Sequence, residues 1–180
     1  MKSQRSSILA VPCLLAAALF IGAGTQAQSA SDASMMDKHF VSEALKGGMA
    51  EVELGRLAEE KGNSNDVKEF GRKMVEDHTR MGDQMKGVAT QIGVTPPTSP
   101  TMMEQVELKK MKGLSGDQFD QAYIKAMVKD HEGDLKDFQK EASTGKSATV
   151  KDAANQGTSV VSGHLAMIKQ IAQAHNLSVN

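Results

Sequence analysis

Aromatic residues are scarce in this 180-residue chain: tryptophan is absent, and one tyrosine with five phenylalanines cannot build a strongly aromatic core. Twelve methionines take over much of that role, since their flexible thioether stems fill irregular interior space. Cysteine is limited to Cys13, which lies in a segment expected to be removed. The mature chain therefore has no disulfide and no thiolate chemistry. An excess of positive charge is also lacking. Without Lys2 and Arg5, 19 basic side chains face 22 acidic ones, which argues against nucleic acid as a partner. The one long apolar run, residues 8–23, is shorter than the roughly 20 residues a membrane span needs. No Ser-His-Asp arrangement, glycine-rich phosphate loop or paired-cysteine motif is present.

The apolar run follows Lys2 and Arg5 and precedes Thr25-Gln26-Ala27, a pattern of basic region, apolar stretch and small-residue cleavage site. Residues 1–27 are therefore expected to be a secretory signal peptide, with export to a bacterial periplasm. Ala-Val-Pro before Cys13 does not match a lipobox. Residues 28–34 read as a flexible leader, and residues 35–176 as one helical domain. After cleavage no segment is apolar enough to cross a membrane.

One motif occurs twice. Met74-Val75-Glu76-Asp77-His78 is matched by Met127-Val128-Lys129-Asp130-His131, with Phe70 and Tyr123 in equivalent places upstream. Met at i and His at i+4 share one face of a helix, so two facing copies bring two imidazoles and two thioethers together.

Helical periodicity runs from about Met35 to Lys61, with Phe40, Ala44, Gly47, Leu54 and Ala58 along one line and Glu51 on it. Gly62-Asn63-Ser64 breaks the pattern. A second helix to about Ile92 carries Val67, Met74, His78, Met81 and Met85 inward. Gly93 and the prolines at 96, 97 and 100 forbid helix in the next stretch, before a short helix over about 102–112. Ser115-Gly116-Asp117-Gln118 has the form of a capping box opening a third long helix to about Ala142. A turn near Gly145 leads to a fourth long helix, with Val150, Val161, His164, Ile168 and Ile171 on one face. The expected fold is all-α: a ferritin-like four-helix bundle of two hairpins. The long connection between the second and third long helices contains the short helix. An up-down-up-down bundle is the alternative.

Helix rise sets the depth of the inward polar groups. Glu51 and His78 lie roughly 18 and 22 Å from the first turn, and His131 and His164 roughly 21 and 28 Å from the second. All four thus reach the middle of a bundle, whereas Asp120 falls near one end. Asp77 and Asp130 sit at the edges of their stripes, placed to orient a histidine on a neighbouring helix or to meet water. A buried Glu51 needs a partner, of which His78 is the simplest, or a proton.

The chain resembles the bacterial domain of unknown function family numbered 4142. The resemblance rests on Ala50-Glu51-Val52-Glu53-Leu54-Gly55, Met74 to His78, Phe119 to Tyr123, Asp130-His131 and His164-Leu165. It covers about residues 37–175 and implies a ferritin-like fold with a signal peptide, but no established activity. Ferritin-like di-iron sites use Glu-x-x-His, and here valine stands three residues before each of His78, His131 and His164.

Three functions compete. The first is a periplasmic, non-catalytic metal-binding bundle using Glu51, His78, His131 and His164 for zinc or another borderline divalent ion. Met74 and Met127 would add soft ligands for copper. The second is a structural or stress-related interaction module with a metal-free polar core. The third is a di-metal oxidoreductase, disfavoured because the bridging carboxylates are missing. Catalysis is thus the weakest expectation; a protein partner and the oligomeric state are not encoded legibly.

Overall fold

The computed structural model describes residues 33–178, which form five helices and no strand. The expected signal peptide and residues 28–32 of the expected leader lie outside the described residues. The helices are α1 (Met35–Lys61), α2 (Asn65–Gln91), α3 (Met102–Lys112), α4 (Gly116–Thr144) and α5 (Ala148–Ala174). They follow the apolar spacing closely, and the short α3 fills the connection where it was expected.

Local chemistry sets most of the ends. Ser34 caps α1, accepting a hydrogen bond from the Asp37 amide at 3.1 Å, while the Asp37 carboxylate accepts from the Ser34 amide. Thr101 and Glu104 make the same reciprocal pair at α3. Past α2, Gly93 takes a φ of 73°, a backbone state that glycine enters without a Cβ penalty. The capping box expected at Ser115 does not form. Gly116 begins α4 with a φ of 58°, and in this left-handed start the Ser115 side chain makes no cap hydrogen bond.

α1 and α2 pack as one hairpin and α4 and α5 as another; α1 faces α4, and α2 faces α5. Contacts between ends give the directions. Asp37 at the start of α1 accepts from the Lys146 amide, beyond the end of α4, at 2.8 Å. Asp120 near the start of α4 accepts from the Asn63 and Ser64 amides, beyond the end of α1, at 2.9 Å each. His175 Nε2, after α5, lies 3.1 Å from Asp66 at the start of α2. Both facing pairs are therefore antiparallel. The order is up-down-down-up with one crossover through α3, not up-down-up-down.

Within the first hairpin the backbones approach closely at Gly55 and Gly71. A Cβ on Gly55 would lie 2.8 Å from the Gly71 carbonyl oxygen, and one on Gly71 would lie 2.7 Å from that of Gly55. This contact draws α2 onto α1.

Two apolar clusters fill the bundle. One contains Leu54, Phe70, Met74, Tyr123, Met127 and Ile168; the other contains Val41, Met85, Ile92, Phe138, Val150 and Val161. Along α2, α4 and α5 the gap between them is occupied by His78, His131 and His164. Glu51 fills it on α1, between Leu45 and Leu54. The apolar layers on both sides shield this polar layer along the bundle axis, so its buried groups depend on one another or on a bound ion.

Candidate metal centre

The four inward polar groups expected to share a depth meet. Glu51, His78, His131 and His164 are all buried, the three histidines at 1 % exposure or less. One ring nitrogen from each histidine lies within 4.8 Å of the other two. His78 Nε2 is 3.2 Å from His164 Nδ1, and the ring centroids of His131 lie 5.7 Å from His78 and 5.6 Å from His164.

The other ring nitrogen of each histidine faces an outer partner. His131 Nδ1 donates to the Met127 carbonyl at 3.0 Å, one turn earlier on α4. His164 Nε2 donates to Asp77 Oδ2 at 2.8 Å. His78 Nδ1 lies 2.9 Å from Glu51 Oε2, a charge contact without the alignment of a hydrogen bond. These partners fix the tautomers. His131 presents an unprotonated Nε2 and His164 an unprotonated Nδ1 to the interior, and His78 Nε2 donates to His164. His131 Nε2 has no hydrogen-bond partner, and neither does Glu51 Oε1, which lies 3.7 Å from it.

Electrostatics sort the four groups. Burial pushes the Glu51 pKa up, but His78, His131 and Asp134 together outweigh it and hold Glu51 at about 2. Burial pulls His78 down, yet the Glu51 carboxylate raises it above its ordinary value. His131 is lowered by burial, which Glu51 only partly offsets. Burial takes His164 down to about 4 against the pull of Asp77, helped by the neighbouring imidazoles. At neutral pH, two of the three histidines are therefore in the uncharged form that binds cations.

Two residues outside the expected set join the site. Asp77, read as an edge residue, is 8 % exposed at its side chain and lies against both His164 and Lys73, whose Nζ is 2.9 Å away. Burial raises its pKa, but Lys73 and His164 bring it down to about 2. Asp134 places a carboxylate oxygen within 4.8 Å of donor atoms from Glu51 and His131. Burial, then the charge of Glu51, push Asp134 up to about 9. Its signal was present in the sequence: His131-x-x-Asp134 places both on one helix face, but with the carboxylate after the histidine, opposite to Glu-x-x-His. Asp130, the counterpart of Asp77 in the repeat, is exposed. Asp120 is buried but lies at the first turn, away from the centre.

Met74 and Met127 are fully buried one turn before His78 and His131, within the first apolar cluster. His39 is exposed and His175 pairs with Asp66, so neither joins the centre.

A family described as Domain of unknown function (DUF4142) matches residues 23–171. The chain belongs to that family. No curated protein matches the chain. Among solved structures it is similar to a DUF305 fragment from Deinococcus radiodurans. That likeness has 14% identity and a TM-score of 0.70, and covers 79% of this chain and 99% of the other. A DUF305 protein from Streptomyces coelicolor, presented as a candidate secreted protein, matches at 13% identity and a TM-score of 0.68. Here 81% of this chain and 96% of the other are covered. At such identities the likeness establishes the fold: a DUF4142 chain and DUF305 chains share one helical architecture. Among the described residues, no helix is long and apolar enough to cross a membrane.

Proposed function

We propose that this protein binds a borderline divalent metal ion, of which zinc is the type, through His78, His131 and His164. The observation that carries the reading is His131 Nε2: unprotonated, fully buried, without a hydrogen-bond partner, and turned toward two other imidazoles. A buried acceptor left unpaired costs about 1–3 kcal/mol, and an ion at this point removes that cost.

Two further features support it. Each histidine meets a carbonyl or carboxylate at its outer nitrogen, the arrangement that orients metal-bound imidazoles and raises their basicity. The separation of 3.2 Å between His78 Nε2 and His164 Nδ1 is also suitable. Two nitrogens bound to one tetrahedral zinc at about 2.0–2.1 Å stand roughly 3.3 Å apart. Binding there replaces the proton on His78 Nε2. Glu51 then either remains on His78 Nδ1 or turns its free oxygen to the ion. Imidazole donors accept copper as readily as zinc, and Met74 and Met127 would favour the reduced ion if their thioethers turned inward. The protein acts in this reading as a binding bundle, in the periplasm after removal of residues 1–27.

A metal-free polar core is the second reading, favoured by the chain Asp77–His164–His78–Glu51, which is continuous without an ion. Calorimetric titration of metal-free protein with zinc, and with copper under reducing conditions, separates the two. Wild type should bind one ion, the His78→Ala/His131→Ala double variant should not, and His39→Ala and His175→Ala should bind as wild type. Equal binding by wild type and the double variant would leave only the polar core. Met74→Leu keeps the volume and removes the sulfur. It should leave zinc binding unchanged and weaken Cu(I) binding only if the thioether is a ligand.

A further inference from the structure

A cavity of about 390 Å³ opens between α1 and α4 and reaches the polar layer. Its wall runs from the exposed Glu43 and Asp137 to the buried Glu51 and His78, and Asp134, Glu104 and Glu141 line it as well. Burial keeps a proton on Asp134 and largely on Glu141. Four carboxylates, Glu43, Glu51, Glu104 and Asp137, thus face Lys140 and His39, and the cavity attracts cations toward its inner end.

Glu51 and His78 stand at that end, and His131 lies behind Glu51. Glu51, 7 % exposed at its side chain, has no hydrogen bond at Oε1, and His131, 0 % exposed, has none at Nε2. They are 3.7 Å apart. A carboxylate oxygen of Asp134 completes a group within 4.8 Å. Two groups of donors therefore share His131: Glu51, His131 and Asp134, of which Glu51 and Asp134 line the cavity, and His78, His131 and His164, of which only His78 does.

The overlap limits how they can be used. His131 Nδ1 carries the proton donated to Met127, so only Nε2 has a lone pair, and one lone pair serves one ion at a time. The two positions are alternatives rather than a pair.

We propose that Glu51, His131 and Asp134 form an outer position that captures a hydrated divalent ion from the cavity. His131 then passes the ion to His78 and His164. This rests on the three-histidine reading and adds the route by which that site is loaded. The outer position offers two oxygens and one nitrogen, a harder set than the three nitrogens within, so the ion exchanges oxygen donors for imidazoles as it moves inward. Nothing is oxidised or reduced. Asp134 releases its proton to solvent when the ion arrives and regains one when the ion moves inward. Water and carboxylate oxygens leave the ion, and the proton on His78 Nε2 leaves the ring.

Cobalt(II) is the probe, because its absorption changes when oxygen donors give way to nitrogen. Wild-type protein should take up one ion. Asp134→Asn should keep the equilibrium affinity within about threefold but slow uptake in stopped flow about tenfold or more. Asp137→Asn makes the same substitution in the same cavity without touching either group of donors, and should slow uptake by no more than about twofold. His164→Ala should hold cobalt weakly at the outer position, and adding Asp134→Asn should weaken it by a further tenfold or so. Uptake by Asp134→Asn as fast as by Asp137→Asn overturns the outer position and leaves the three-histidine site standing. Binding by His164→Ala/Asp134→Asn equal to that of His164→Ala does the same. Two ions in wild type overturn the hand-over, and a wild type that takes up no cobalt overturns both readings.

Discussion

His164 Nε2 lies 2.8 Å from Asp77 Oδ2, so the residue beside one histidine in the chain orients a different histidine in space. The Asp77-His78 pair thereby ties α2 to α5 through two rings: His78 meets His164 directly, and Asp77 holds the far side of the same ring. Lys73 steadies the carboxylate from outside. Asp77→Asn removes no ligand, yet it leaves His164 free to change tautomer. Zinc affinity should fall about 10–100-fold, the usual consequence of losing such an outer partner. Competition against a chromogenic chelator measures it, and an affinity unchanged from wild type would show that Asp77 serves only its ion pairs with Lys73 and Arg80.

Glu51 provides a second test that needs no metal. Its carboxylate offsets the charge on His78, and both side chains are buried. Glu51→Gln keeps the volume and should fold normally. Glu51→Ala leaves His78 without its counter-charge and opens a cavity, and should cost roughly 1–3 kcal/mol in urea unfolding of the metal-free protein. Full stability of Glu51→Ala would mean that the polar layer does not depend on this acid.

Helix spacing made much of this legible. Glu51, His78, His131 and His164 each fall on an apolar stripe, and stripe plus rise per residue is enough to bring them to one layer. The partners of these groups were harder to read. Asp77 sits at the edge of its stripe, and which helix that edge meets depends on bundle handedness and rotation, neither of which periodicity sets. Asp134 lay within reach, since a carboxylate three residues after a histidine shares its face as surely as one three residues before. Asp120 has an inward position but acts on backbone amides 56 and 57 residues away, which no local pattern encodes. At Ser115 a local rule failed because Gly116 adopts a positive φ that the capping-box pattern does not anticipate.

Glu141 makes the stability depend on pH. It is buried beside Asp37 where α1 meets the α4–α5 turn. Burial, then the Asp37 carboxylate, push its pKa from an ordinary 4.5 up to about 7. The folded state thus holds this proton more tightly than the unfolded chain. Its contribution is fully present below pH 4.5 and is lost as pH rises through about 7. Glu141→Gln keeps a neutral side chain at every pH. Between pH 5 and 8 wild type should lose about 1–3 kcal/mol relative to Glu141→Gln, at 1.36 kcal/mol per pKa unit as the ceiling. Parallel stability curves for the two proteins would place Glu141 in contact with water instead.

Asp120 closes the opposite end of the bundle. Its two oxygens accept the Asn63 and Ser64 amides at 2.9 Å and the Ser64 hydroxyl at 2.7 Å. Ser64 is the N-cap of α2, but with its hydroxyl turned to Asp120 it makes no cap bond of its own. Asp120, with Asp117 accepting from the Asn63 side chain at 2.7 Å, thus holds the turn between α1 and α2 and helps fix how the two hairpins align lengthwise. That alignment is what brings His131 level with His78 and Glu51. Asp120→Ala should cost about 2–4 kcal/mol, since it strands two turn amides that had a charged acceptor. It should also weaken zinc binding, although Asp120 is remote from the centre. Asp120→Asn keeps one acceptor oxygen and should lose about half as much stability. Urea unfolding and zinc titration of the same two variants provide the check. Zinc affinity equal to wild type in a destabilised Asp120→Ala would show that the lengthwise fit of the hairpins is set by the core, not by this turn.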